Sequence, residues 1–206
     1  MATSVILVVS AVVYAPKFLT SRDEPKKSEA IIFFVGPDYE AREEKVRELL
    51  DKGYASKLII PLYSKVVPAS TEVDITRINR ATLQDNINAR SYVQKSYPSY
   101  FENTHIEALE AKKAMDALGL KSAICVSSPY HMKRIRLILN RVFSESVYKI
   151  SCVPAVTDYD IGSFWFLRWD HIFWIVSETV KIGWFSIYET FLHSNKNVTA
   201  GLQRIP

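Results

Sequence analysis

The chain has 206 residues, of which 48% are hydrophobic and 23% are charged, and its formal net charge is +4. That length suffices for one domain of ordinary size with a full core, and the composition excludes an intrinsically disordered chain. Because the basic residues alternate with acidic ones and form no stripe, nucleic acid is not expected as a partner.

The N-terminus begins with an apolar stretch, residues 3–15, that contains no charged residue. It is shorter than the ~20 residues that span a bilayer comfortably, and it lacks the basic n-region of a secretory signal. We interpret residues 1–20 as a hydrophobic anchor or signal-like segment. Four basic residues lie within positions 17–27, and the positive-inside tendency would then leave the following domain in the cytoplasm.

Short apolar runs bounded by turn residues predict strands that are buried on both faces of a sheet. They lie at residues 30–35, 57–60, 122–126 and 148–153, and helical patterns alternate with them. This order predicts an α/β fold with right-handed crossovers and a mainly parallel sheet, in one domain over residues 27–192. Ligands of such sheets bind at the carboxyl ends of the strands.

Two stretches depart from this alternation. Residues 64–100 are polar and predict one helix, about 75–89, and a short strand near Tyr92 and Val93. Such an insert is either a lid or partner-binding segment or a plain surface excursion. The aromatic-rich residues 164–191 predict a helix that packs on the domain, or one that also rests at a bilayer interface.

The stretch that follows the third predicted strand contains the strongest candidate site. Ser128 and Pro129 predict a helix start, with Ser128 as the N-cap and proline in the first helical position. His131 then falls in the first turn and Arg134 on the flank of the apolar stripe, beside backbone N–H groups that favour an anion. The alternative is a purely structural role, in which Ser128 only caps the helix, His131 only fills space and Arg134 only solvates the helix edge.

Two further patterns have structural interpretations. Thr104 and Glu107 fit a capping box at the start of a helix, in which each side chain satisfies a backbone N–H. Asn103 is not explained by that motif and is a candidate for contact with a ligand. Cys125 and Cys152 fall in predicted core strands and are interpreted as buried, inert thiols, and neither has the spacing of a metal site.

Several of these residues resemble motifs of the YdcF/SanA/ElyC-like bacterial envelope proteins, a family defined by a domain of unknown function. Residues 27–36 resemble the opening strand with its glycine, and Arg42 with residues 52–55 resembles the first helix. Residues 103–107 are similar to a polar family motif, and residues 126–134 resemble the most specific family signature.

The resemblance covers about residues 25–190 apart from the insert, and it implies a three-layer α/β/α Rossmann-like domain held at the inner (plasma) membrane by a single N-terminal anchor. It also implies a role in envelope or cell-wall biogenesis, including peptidoglycan metabolism, with the domain in the periplasm. The basic residues after the apolar segment favour the opposite orientation, so both stay open. The cofactor and the oligomeric state are left open as well.

Two classes of function fit these residues. The first is a hydrolase or transferase that binds a phosphorylated or nucleotide-like anionic small molecule, with His131 as general acid or base and Glu107 as a second proton carrier. The alternative is a non-catalytic ligand-binding or scaffold module of the envelope machinery. The predicted ligand-binding residues are Gly36, Arg42, Asn103, Thr104, Ser127, Ser128 and Arg134.

Overall fold

The structure is a computed structural model that describes residues 17–36, 38–68, 83–155 and 167–202, the side chains of 83–84 and 192–202 excepted. Within these ranges the chain has an α/β fold with a five-stranded, mostly parallel sheet, an arrangement compatible with a Rossmann-like fold. The strands are β1 (Ala30–Phe33), β2 (Lys57–Ile60), β3 (Lys65–Pro68), β4 (Ser122–Ser127) and β5 (Lys149–Pro154).

The strand order is β3-β2-β1-β4-β5, and β3 is antiparallel to β2. The described α-helices are α1 (Tyr39–Asp51), α2 (Leu83–Lys95), α3 (Asn103–Ala117), α4 (Met132–Val142) and α5 (Trp169–Leu202). The predicted strand at 57–60 coincides with β2. The other three predicted strands differ from β1, β4 and β5 by one or two residues at an end.

Helices cover both faces of the sheet because its central strands are apolar on both sides. Ile31 and Phe33 of β1 pack in one core together with Leu49 of α1. Ile32 of β1 packs in the other core, with side chains of α3 and α4 that include Met132. All four residues of β1 are buried, as expected for a strand with neighbours on both edges and helices on both faces.

The connections reverse direction between β1 and β4. From β1 the chain passes through α1 to β2 on one side, and from β4 it passes through α4 to β5 on the other. The loops that leave the carboxyl ends of these two adjacent strands therefore diverge and open a crevice. Ligands of open α/β sheets bind at such a switch point.

The prediction for residues 64–100 is partly wrong. Tyr92 and Val93, predicted as a short strand, lie in α2, which also contains residues 83–89 of the predicted helix at 75–89. The region also supplies the edge strand β3, in which Val67 is buried and Val66 is exposed. A four-residue strand with one buried side chain has too little hydrophobic alternation to be recognised from sequence. Residues 69–82 lie outside the described residues.

The predicted anchor, residues 3–15, also lies outside the described residues. None of the helices in the described ranges is long and apolar enough to cross a membrane. Near the start of the described chain, Leu19 is fully buried and packs against Ile175 of α5. The aromatic helix predicted at 164–191 begins at Trp169 and continues to Leu202.

Candidate functional site

A cavity of about 360 Å³ lies at the switch point between β1 and β4. Its wall is formed by the loop after β1, by side chains of all five helices, and by the end of β4. Eight of the nine predicted site residues line it: Gly36, Arg42, Asn103, Thr104, Glu107, Ser127, His131 and Arg134. The ninth, Ser128, contacts Arg42 from behind.

A larger cavity, about 720 Å³, lies between the β2–β3 edge and α3. Most of its lining side chains are apolar, and its charged groups include the ion pair between Glu110 and Lys113. A site for chemistry or for a polar ligand needs convergent polar groups. The smaller cavity meets that requirement, whereas the larger one does not.

Arg42 is the most unusual side chain in the smaller cavity. It extends from α1 and is only 2% exposed. Its Nη1 donates to the carbonyl oxygen of Phe34 and its Nε to Oγ of Ser128, both at 2.8 Å, whereas Nη2 is buried with no hydrogen-bond partner in the described part of the chain. No carboxylate of a described residue forms an ion pair with it. Burial lowers the pKa of Arg42, but a guanidinium stays charged in proteins.

Gly36 provides the space that this guanidinium occupies. A Cβ atom at position 36 would lie 2.4 Å from Nη1 of Arg42 and 2.8 Å from its Cζ. Atoms of ordinary proteins do not approach so closely. The glycine after β1 is therefore explained by the arginine on α1, six residues later.

Ser128 lies at the predicted N-cap position, but the helix that it precedes is a short 3₁₀ turn. Pro129 does occupy the first position of a short 3₁₀ turn, Pro129–His131, and α4 begins only at Met132. The Ser128 hydroxyl makes no capping bond; it accepts from Nε of Arg42 and donates to Asp38, which also accepts from Tyr130. Its hydrogen-bonding capacity is used by this long-range network instead of by the helix start.

Ser127, the last residue of β4, has a buried side chain that lines the cavity. It is 1% exposed, and its Oγ has no hydrogen-bond partner among the described residues. Buried hydroxyl groups are normally paired, and an unpaired one needs an explanation. Together with Nη2 of Arg42, this hydroxyl gives the cavity two unsatisfied polar groups.

His131 contacts a residue that the sequence did not indicate as part of the site. Its Nδ1 lies 3.0 Å from Oε2 of Glu178, a fully buried carboxylate on α5. Burial lowers the pKa of His131, although Glu178 opposes this. Because a carboxylate can only accept, the neutral ring carries its proton on Nδ1, which leaves Nε2 as the acceptor.

Arg134 is held by two carboxylates. Its Nε lies 2.8 Å from Glu178 and its Nη1 lies 2.5 Å from Glu102, and Nη1 also donates to Thr104 at 2.7 Å. Burial would raise the pKa of Glu178, but His131 and Arg134 outweigh it and hold that pKa below its ordinary value. The two carboxylates already balance the charge of Arg134, so Arg42 is the better candidate for pairing with a ligand anion.

The predicted capping box at the start of α3 is also wrong. The N-cap is Glu102, whose carboxylate accepts from the backbone N–H of His105 at 2.5 Å. Thr104 binds Arg134 instead, and Glu107 is buried in the cavity wall. Neither side chain makes the predicted capping bond, and both line the cavity.

Glu107 is a weaker acid than an ordinary glutamate. Burial raises its pKa to about 7, opposed chiefly by Arg90, whose Nη2 lies 3.8 Å from Oε1. A carboxyl group that is half protonated near neutral pH can both give and take a proton. No group of three or more described acidic, histidine or cysteine side chains is placed to hold a metal ion.

Comparisons with protein-family models, with curated proteins and with solved structures find no match to this chain. The resemblance to the YdcF/SanA/ElyC-like family therefore stays a prediction from residues 27–36, from Arg42 with residues 52–55, and from residues 103–107 and 126–134. The site must be interpreted from its own geometry.

Proposed function

We propose that the cavity at the switch point binds a phosphorylated or nucleotide-like anionic small molecule. The observation that carries this proposal is Arg42, a buried guanidinium with an unpartnered Nη2 and no ion pair among the described residues. Removing a charge from water without a compensating partner costs several kcal/mol. Asp38 and Glu107 act on the charge of Arg42 without forming an ion pair with it, and a ligand anion in the cavity would supply the direct partner and the missing acceptor for Nη2.

Other groups around the cavity support the same ligand class. The Ser127 hydroxyl is a second unsatisfied group on the wall among the described residues. A volume of about 360 Å³ lies within the range that small-molecule sites occupy. The forked guanidinium suits a phosphate better than a single ammonium would.

We propose that the site acts on this ligand as a hydrolase or transferase. His131 would use Nε2 as the base, since Glu178 fixes the proton on Nδ1. Glu107 would be the second proton carrier, with its pKa of about 7 near the operating pH. An orienting carboxylate behind a neutral imidazole is a recurring arrangement for acid–base catalysis.

The family resemblance extends the proposal beyond the cavity. We infer a three-layer α/β/α Rossmann-like domain of the YdcF/SanA/ElyC type that acts in envelope or cell-wall biogenesis, including peptidoglycan metabolism. The apolar residues 3–15 would hold it at the inner membrane with the domain in the periplasm. The α/β fold with helices on both sheet faces supports the fold part of this inference.

The test of ligand binding is calorimetric titration with pyrophosphate and with nucleoside mono- and diphosphates, alongside Arg42→Gln. The ligand that binds the native protein should lose at least ~10-fold in affinity in the variant, because a charge-assisted bond is removed. The matched control is Arg47→Gln on the same helix, where Arg47 pairs with Glu43 outside the cavity. Equal losses in both variants, or no binding of any of these anions, would contradict the proposal.

The non-catalytic alternative has one observation in its favour. His131 is only 8% exposed and packs against the rings of Tyr130 and Trp174, as a structural histidine would. His131→Gln separates the two functions. An enzyme should lose turnover of the bound ligand and keep most of its affinity, whereas a binding module should change in affinity alone.

A further inference from the structure

Helix α5 has an apolar face that points away from the domain. Seven large apolar side chains on it are between 53% and 84% exposed. They form what we call the outer stripe: Trp169, Phe173, Val176, Val180, Trp184, Ile187 and Phe191. The opposite face of the helix is buried against the domain through residues that include Ile175, Glu178 and Phe185.

The outer stripe runs straight along the helix. Its members are spaced by 4, 3, 4, 4, 3 and 4 residues, which is an 11-residue repeat present twice between Trp169 and Phe191. That spacing averages about 3.67 residues per turn, close to the 3.6 of an unsupercoiled helix. A two-stranded left-handed coiled coil requires 3.5. A straight stripe, about 33 Å long at 1.5 Å per residue, fits a flat surface better than it fits a twin helix.

No charged residue interrupts the outer stripe. The charged residues of α5 within its span are Asp170, Glu178, Lys181 and Glu189, which lie off the stripe at 100° per residue. Each forms an ion pair: Asp170 with Arg168 at 2.7 Å, Lys181 with Glu178 at 2.8 Å, and Glu189 with Arg141 at 3.2 Å. Nothing on the stripe would therefore resist transfer out of water.

We propose that the outer stripe docks into the interfacial region of a lipid bilayer, with α5 lying in the membrane plane. Tryptophan is favoured at that depth, and the stripe carries two. Leu19, four residues after the charge-free stretch 3–15, packs against Ile175 of the same helix. Next to Leu19, Phe18 is 55% exposed and Nζ of Lys133 lies 5.1 Å from its ring centre, so an apolar group and a cation lie together at this surface.

This surface shares one residue with the lining of the ligand cavity, and its test needs no ligand. Trp184 does belong to both, since it also lines the cavity. Docking would therefore bring one rim of the cavity to the membrane surface. A monomeric soluble domain rarely exposes so continuous an apolar surface without a partner for it.

The first experiment measures partition of the full-length protein onto vesicles of phosphatidylcholine and phosphatidylglycerol. Val180→Gln and Ile187→Gln should each weaken partition by ~10-fold, because each removes one buried apolar side chain. The control is Ile87→Gln, which changes a 51% exposed isoleucine on α2 and should leave partition unchanged. Equal partition of all three variants would overturn the proposal, even if residues 3–15 bind vesicles by themselves.

The second experiment places a fluorescent label on the stripe. Cys125 and Cys152 are buried, so a cysteine introduced as Val180→Cys reacts selectively. With vesicles its emission should shift to the blue and resist an aqueous quencher, whereas a label at Tyr92→Cys on α2 should not change. A shift that appears without vesicles and grows with protein concentration would show a second copy on the stripe and overturn the proposal. The label could also resist the quencher without vesicles and lose this protection when residues 1–16 are deleted. That result would overturn the proposal too, because residues 1–16 would then cover the outer stripe.

Discussion

Glu178, on the C-terminal helix α5, lies 3.0 Å from Nδ1 of His131, which immediately precedes α4. The same carboxylate binds Nε of Arg134 at 2.8 Å. One fully buried acid thereby fixes the tautomer of the histidine and the position of the arginine. The C-terminal helix is thus part of the candidate site as well as part of the core.

Glu178→Gln is expected to lower the free energy of unfolding by about 3 kcal/mol, because a buried ion pair that loses one partner leaves an uncompensated charge on Arg134. Glu102 still contacts Arg134, so the effect should lie at the low end of the usual range. Chemical denaturation measures the change. The matched control is Glu189→Gln on the same helix, whose partner Arg141 is exposed, and it should cost less than ~1 kcal/mol. Equal losses of unfolding free energy in the two variants would contradict the claim that Glu178 holds Arg134 in place.

Glu107 should make stability depend on pH in a direction unusual for an acid. Burial raises its pKa in the folded protein to about 7, whereas in an unfolded chain a glutamate titrates near ~4.3. Between these values Glu107 binds more protons in the folded state than in the unfolded state, so its contribution to stability falls as pH rises from about 4.5 to 7 and stays lower above it.

Glu107→Gln removes that titration. Its unfolding free energy should therefore fall less steeply over this pH window, and at pH 8 it should exceed that of the native protein by ~2–3 kcal/mol. Denaturation curves at a series of pH values check this, and the ¹³C shift of the Glu107 carboxyl group gives its pKa directly. A difference in unfolding free energy between the native protein and the variant that stays constant between pH 5 and 7, with a carboxyl shift that moves near pH 4, would refute the assignment.

Much of the candidate site could be predicted because parallel strands bring their carboxyl ends to one edge. Apolar runs in the sequence locate β1 and β4, and the polar residues that follow, Gly36 and Ser127, must then lie near each other. His131 is predicted to lie at the same edge because it comes only four residues after the end of β4. These inferences need only local patterns and one rule of topology.

The remainder depends on contacts between distant residues, which local patterns do not contain. Ser128 and Thr104 have the residue types of helix caps, but partners far along the chain, Arg42 and Arg134, use their hydroxyl groups. Likewise, Glu178 lies in an aromatic helix whose sequence indicates packing or membrane contact. Nothing local shows that one of its carboxylates turns toward His131.

Gly36→Ala tests the close approach of the backbone to Arg42. The new methyl group would lie 2.4 Å from Nη1, so the guanidinium must move and lose its bond to Phe34. We expect a loss of about 1–3 kcal/mol in the free energy of unfolding. Gly183→Ala on α5 is the control: no side chain lies within 4 Å of the added Cβ, and the exposed helix position should gain about 0.5–1 kcal/mol. The two alanines should thus shift the melting temperature in opposite directions, and a neutral Gly36→Ala would exclude the clash.

Ser127→Ala separates a group kept for a ligand from one kept for stability. The Ser127 hydroxyl is buried without a partner among the described residues, so its removal from the ligand-free protein should be neutral or should raise the free energy of unfolding by up to ~1 kcal/mol. Ser122→Ala, at the other end of the same strand, removes a hydroxyl that donates to Glu29 at 3.0 Å and should cost about 1 kcal/mol. Denaturation of the two variants gives the comparison, and titration with the anion that binds the native protein should show weaker binding for Ser127→Ala alone. If Ser127→Ala is instead the more destabilising of the two and binds the anion normally, the hydroxyl belongs to the core of the protein, and Arg42 alone is left to define the anion site.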